Sequence, residues 1–220
     1  MLKSKTFDTR NAPDQLLDIV VRPNVAFNRV ATNPRVLPSL LFVLGSTLLM
    51  YIALSEAFSN RIRDALAQVD VIATSRLIYL ALTLSGVLSV LQIIITIFIS
   101  ALIIHVVARF LTGKASLYTT LACYTVALIP SGLKGILIAV LALFLGSENT
   151  PLTIVSFGGD AASNISATLD PFALWSTVLL GIGLRQAHQL NPVAAFGIAF
   201  GFFFTGILIP LIPTILLRVM

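Results

Sequence analysis

From Leu77 to Phe110 the chain runs through an apolar stretch which, wound as a helix rising ~1.5 Å per residue, outreaches the ~30 Å hydrocarbon core of a bilayer. A segment of that length and character predicts a membrane span that must tilt or project. The whole chain agrees with it: 57% of its 220 residues are apolar, 10% are charged, and the mean hydropathy is +0.99. These values lie well outside those of an ordinary soluble domain and predict a polytopic membrane protein. The net charge of +5 does not point to nucleic acid. The 14 Lys and Arg are scattered near the ends of apolar runs, where they report topology, and are not gathered on one face.

The other spans follow by the same logic. Span one is expected at about 36–55, introduced by Asn33-Pro34 and Pro38, and span two at about 79–108 within the long stretch. Ser85, Gly86, Ser89, Gln92 and Ser100 interrupt span two with small or polar groups suited to close helix contact and interhelical hydrogen bonds. Phe110 to Lys114 is a short connection, so span three, about 118–145, should be its antiparallel neighbour. Span four, about 170–190, is marked at both ends. Asp170 can cap its start, Pro171 suits the first turn, Trp175 suits headgroup level, and Arg185 suits the opposite interface. Span five is expected at about 193–217, with Pro210 and Pro213 bending or fraying its end.

Two stretches read as interfacial helices. In the leader, residues 1–35, the apolar positions Leu16, Ile19, Val20, Phe27 and Val30 recur among Asp14, Asp18, Arg22 and Arg29, and Pro23 divides the pattern in two. Such a pair either offers a surface to a partner or anionic lipid, or packs beneath the bundle. Between Glu56 and Arg76, Ile62, Leu66, Val69 and Ile72 keep a helical stripe on the far side of the membrane. The loop 146–168 is long for a bundle connection and includes an Asn164-Ile-Ser166 acceptor pattern. No apolar core follows Lys3 and Lys5, so the leader does not read as a secretory signal.

Lys and Arg sort the ends. With the N-terminus inside and five crossings, Lys3, Lys5, Arg10, Arg22, Arg29, Arg35, Arg109, Lys114 and Arg185 fall inside, and Arg61, Arg63, Arg76 and Arg218 outside. The expected fold is therefore an all-α polytopic bundle of five transmembrane helices, residues 36–218, N-terminus cytoplasmic and C-terminus outside, in the plasma (inner) membrane.

Candidate sites are few. Lys134 falls in mid-span within Pro130-Ser131-Gly132-Leu-Lys134, where proline frees a backbone carbonyl and Ser131, Gly132 and Gly135 admit a neighbouring helix. A mid-membrane ammonium costs roughly 2.5–3.5 kcal/mol on insertion scales. It predicts either a functional site with a buried charge or a side chain snorkelling along a tilted helix. Gly197, Gly201 and Thr205 form a small-residue packing face, expected to meet the chain's own bundle, with a second copy as the other reading. His105 reads as a hydrogen-bonded interface residue, because no second His, Cys or acidic residue is spaced to join it. Arg185 and His188, one turn apart, read as interfacial anchors or as a cationic patch for lipid phosphate or an acidic partner. The single cysteine, Cys123, rules out an internal disulfide. No Gly-rich phosphate loop, His-Glu-x-x-His pattern or nucleophile with a base is present, so no catalysis, cofactor or metal is expected.

The leader LLDIVVRPNVAFNRVATNP, YTVALIPSGLKGILIAVL in span three and DPFALWSTVLLGIGLRQAHQLNPVAAF across spans four and five resemble the Yip (Ypt-interacting protein) membrane-domain family, in its bacterial branch. The resemblance extends from about Leu16 to Leu217. Asp170-Pro171-Phe172, Trp175 and Gly181-Ile-Gly183-Leu-Arg185 carry it most strongly, and Asp170, Pro171, Trp175, Gly181, Gly183 and Arg185 are candidate motif and packing residues. It implies a five-span protein with a cytoplasmic N-terminus and no catalytic activity. Eukaryotic relatives bind Rab-type GTPases through longer leaders, and the short leader here departs from that pattern. Some bacterial relatives accompany ABC-type export machinery. The resemblance thus implies an accessory or scaffold protein whose partners are membrane lipids and ABC-type transporter subunits. The alternative from the residues is a small transporter or channel using the Pro130–Lys134 kink.

Overall fold

In the computed structural model, residues 18–68, 72, 74–148, 150 and 171–219 are described, with 209–219 as backbone only. Every regular element among them is an α-helix. Residues 18–21 form one helical turn, broken at Arg22, after which α1 (Pro23–Thr32) starts on the proline that the sequence marks as a divider. α2 (Leu37–Ala53) and α3 (Ser55–Ala67) follow, bent by 64° at Leu54. α4 (Ser75–Phe110) begins where the Thr74 side chain accepts the Leu77 N–H. α5 (Leu117–Ala127) begins on the Ser116 hydroxyl, which accepts from Thr119 N at 3.1 Å. α6 (Ile129–Leu145) continues α5 after a break at Leu128 and carries Pro130 in its first turn, as the proline dictates. α7 is Pro171–His188. α8, Pro192–Val219, starts where Asn191 Oδ1 accepts Ala194 N at 2.8 Å and runs on as helix through Pro210 and Pro213.

Among the described residues two segments, α4 and α5 with α6, are long and apolar enough to cross a membrane; the bent pair α2 and α3 makes a third if it is taken as one span. The stretches expected as spans four and five are helical, as α7 and α8, but neither is among the segments that length and composition qualify to cross. α7 ends in Arg185, Gln186 and His188, which dilute its apolar character. α3 covers the first part of the second interfacial helix expected between Glu56 and Arg76; it ends at Ala67, Ile72 lies beyond it and Val69 is outside the described residues. Its Asn60 donates to Glu148 and its Glu56 accepts from Ser147, tying it to the turn after α6.

α5 is the centre of the bundle. Thr120 through Ala127 are all buried, two turns without an exposed face because α1, α2, α4 and α7 surround them. Its small side chains let the neighbours close in, and hydroxyls join the helices: Ser39 donates to Thr125 Oγ1 at 2.8 Å, and Ser131 and Ser176 lie 3.2 Å apart. Glycines make the other close approaches. A Cβ on Gly132 would lie 2.7 Å from the Phe42 ring, and one on Gly181 2.5 Å from Phe196. These contacts are the small-residue packing that holds helices together where lipid gives no hydrophobic drive. The outer faces carry large apolar side chains such as Leu41, Leu84, Phe98 and Phe144, the last 84% exposed. That surface suits hydrocarbon and not water.

Candidate functional site

Two places in the bundle gather polar chemistry. The first is a knot at the end of α7. Three helix turns and the 111–116 connection meet here, because Gly113 N bonds back to Ala108 O at 2.8 Å and Lys114 N to His188 O at 3.2 Å. The Thr120 hydroxyl sits at its middle. It lies 3.0 Å from Ser116 O, 3.0 Å from His105 Nδ1 and 2.8 Å from His188 Nε2. A hydroxyl has one proton and two lone pairs. If that proton goes to the Ser116 carbonyl, both imidazoles must donate, which sets Nδ1–H on His105 and Nε2–H on His188. His188 Nδ1 is then a bare acceptor, and it is the buried side-chain polar atom that lacks a partner among the described residues. It faces Gly113 so closely that a Cβ there would stand 2.4 Å from it. The two rings lie 5.6 Å apart, both turned toward the threonine and not toward a common metal point. Arg109 closes the knot by donating to Gly113 O at 3.2 Å.

The knot corrects two expectations. His188 is fully buried while Arg185 is exposed, so they form no shared cationic patch, and His188 is no interfacial anchor. The reason is the 113–114 turn, which caps the end of α7 and covers the imidazole. Nor is His105 alone: a second histidine, too distant in the chain to be read as its neighbour, shares its hydroxyl. Thr120 itself carried no signal in the sequence.

Beside the knot the leader enters the bundle. Phe27 is fully buried in a notch made by Gly183, where a Cβ would lie 2.8 Å from the ring and 3.3 Å from Cys123 Cβ. Gly181 seats Phe196 of α8 on the adjoining face, so the paired glycines serve two neighbours. α1 thus packs onto the bundle, its Arg29 paired with Asp18 at 2.6 Å. Trp175 is half-buried against the central cluster and so does more than mark headgroup level. Asp170, the expected cap of α7, lies outside the described residues, as do the acceptor pattern at 164–166 and most of the 146–168 loop.

The second place is a cleft of about 390 Å³ between α2 and α4, floored by α5 and α6. The walls touch where Tyr51 lies against Gly86 and donates from its hydroxyl to Leu82 O at 2.8 Å. Away from that contact they part. Apolar Val43, Val90 and Ile97 line the opening together with Thr47, Gln92 and Ser131. Ser131 belongs to the expected Pro130–Lys134 site, so the structure brings one end of that site to the cleft. Gly132 and Gly135 face α2 instead, against Phe42 and Ser46. Lys134 is half-buried, so the fully buried ammonium is not what forms. Gly197, Gly201 and Thr205 are exposed, and no described atom stands within 4 Å of where a Cβ would sit on either glycine. Among the described residues this face does not meet the bundle as expected: α8 packs on α7 through Ala195, Phe196 and Ala199, and the glycine side turns away from them. Among the described residues no group of three or more His, Cys, Asp and Glu is placed to hold a metal.

No curated protein and no solved structure matches the chain. The Yip1 domain matches residues 17–212, which takes in α1 with its buried phenylalanine, the α5–α6 break, the paired-glycine helix α7 and most of α8. With nearly the whole chain inside that match, the protein belongs to the Yip1 domain family.

Proposed function

We propose that this protein is a non-catalytic accessory or scaffold protein of the plasma (inner) membrane that associates with a larger membrane complex. In this reading the chain crosses five times, through α2, α4, α5 with α6, α7 and α8, with a cytoplasmic N-terminus and an outer C-terminus. The knot and the docked leader lie on the cytoplasmic side. The partner favoured is an ABC-type exporter, on the resemblance of the leader and of spans three to five to relatives that accompany such machinery. The observation that supports a binding role is the cleft between α2 and α4, a recess open at the side of apolar helices and lined by both apolar and hydrogen-bonding groups. The polar groups of the knot are turned inward on one another and serve packing. Purification in gentle detergent with crosslinking is expected to bring exporter subunits with the chain. Recovery of isolated monomers alone across a range of detergents overturns the reading.

A further inference from the structure

Gln92 stands at the middle of the longest helix, sixteen residues after Arg76 and seventeen before Arg109. At ~1.5 Å per residue its carboxamide is about 25 Å along the helix from either cation, too far for its short stem to reach a headgroup. It is exposed at the α4 lip of the cleft. Its two N–H donors and its carbonyl have no partner among the described residues. The neighbouring polar groups differ. Thr47 bonds back to Val43 O, Ser89 to Ser85 O, and Tyr51 to Leu82 O, so each is satisfied within the chain. A carboxamide left bare in hydrocarbon is strongly disfavoured, and what relieves it must bring a hydrogen-bonding group to mid-membrane depth.

We infer that the cleft receives one transmembrane helix of a partner protein, which lays a ridge of side chains between α2 and α4 and sets a Ser, Thr, Asn or Gln against Gln92. A lipid acyl chain fills the same volume but offers Gln92 nothing. The recess takes the ridge of a helix and not its body, in the manner of ridge-into-groove packing. The parting of α2 and α4 beyond the Tyr51–Gly86 contact gives the incoming helix its line. Thr96, one turn beyond Gln92, lines the same recess and extends the polar stripe. This inference rests on the scaffold reading and names where its partner binds.

The test uses the full chain in native membranes with a photoreactive diazirine amino acid in place of Val90, which lines the cleft, and a control at Leu143, which is exposed on α6. The expected result is an adduct from Val90, and not from Leu143, whose crosslinked peptide is an apolar helix of another protein with Ser, Thr, Asn or Gln within one turn of the crosslink. Gln92→Leu should lower its yield about three- to tenfold, the range of one interhelical hydrogen bond, while Gln92→Asn retains it. Capture of lipid alone, of a peptide from this chain, or of nothing at Val90 overturns the inference, and so does a yield that Gln92→Leu leaves unchanged. Lipid capture at Val90 together with exporter subunits in the gentle-detergent preparation removes the cleft assignment and leaves the scaffold reading standing. Failure of both experiments removes both.

Discussion

Replacing Phe27 by alanine tests whether the leader is part of the bundle. The ring is fully buried against Gly183, on a helix of ten residues. Phe→Ala changes in packed cores cost about 3–5 kcal/mol. The low end applies here, because a released ring can bury itself again among lipid headgroups and upper acyl chains. About 3 kcal/mol corresponds to roughly a hundredfold in the docking equilibrium. An isolated helix needs some 12–15 residues to persist in water, so α1 unfolds when it undocks. That exposes Arg29 to trypsin, whereas Arg22 is followed by Pro23 and resists cleavage. When opening and closing are fast, the rate of cutting follows the open population, so the Arg29–Val30 bond in Phe27→Ala should be cut on the order of a hundredfold faster than in the parent. Gly183→Ala should shift the rate in the same direction by less, since its Cβ would stand 2.8 Å from the ring and force it aside. A rate in Phe27→Ala within a few-fold of the parent refutes the docked leader.

Three further substitutions probe the remaining structure. Gly113→Ala should lower the melting temperature in detergent, and removing the imidazole in Gly113→Ala/His188→Ala should not restore it, because the new Cβ also lies 2.6 Å from the backbone oxygen of Ala108. Restoration by the double change would mean that the histidine alone sets the constraint. Thr120→Val strips both imidazoles of their shared acceptor, at a cost of about 1–3 kcal/mol for the buried His188 and less for the half-buried His105, whereas Thr120→Ser keeps the hydroxyl and should melt close to the parent. Equal melting of the two variants contradicts the knot. Lys134→Leu should leave copurification with a membrane complex intact, since the scaffold reading assigns that ammonium no task. Loss of solute flux into proteoliposomes with this variant favours the transport alternative instead.

The helices were legible because their signals are local. Asn33-Pro34 and Pro171 mark helix starts, and apolar runs of span length need little context to be read, whereas Pro130, read as a kink within one span, opens a separate helix after the break at Leu128. Gly181 and Gly183 were also legible as packing positions, although nothing near them in the chain names Phe196 or Phe27 as the rings they admit. Direction was the difficulty. The three-residue spacing of Arg185 and His188 suggests one face, yet the covering 113–114 turn buries the second and leaves the first exposed. Likewise the spacing of Gly197, Gly201 and Thr205 defines a stripe without saying which way it points. On α8 the apolar Ala195 and Ala199 compete for the same bundle and win it. The meeting of His105, Thr120 and His188 depends on how α4, α5 and α7 come together, and no pattern within a single helix encodes that.

The account depends most on α4 crossing the bilayer with its two ends on opposite sides. Arg61, exposed on α3, precedes it, and Lys114, exposed in the turn after it, follows. Cysteines placed singly at Arg61, Lys114 and Asn191, with the buried Cys123 changed to serine, can be challenged from outside with a membrane-impermeant maleimide. Arg61→Cys should label in intact cells, and Lys114→Cys and Asn191→Cys only after permeabilisation. Labelling of Arg61→Cys and Lys114→Cys from the same side would contradict the crossing and every assignment of side built on it.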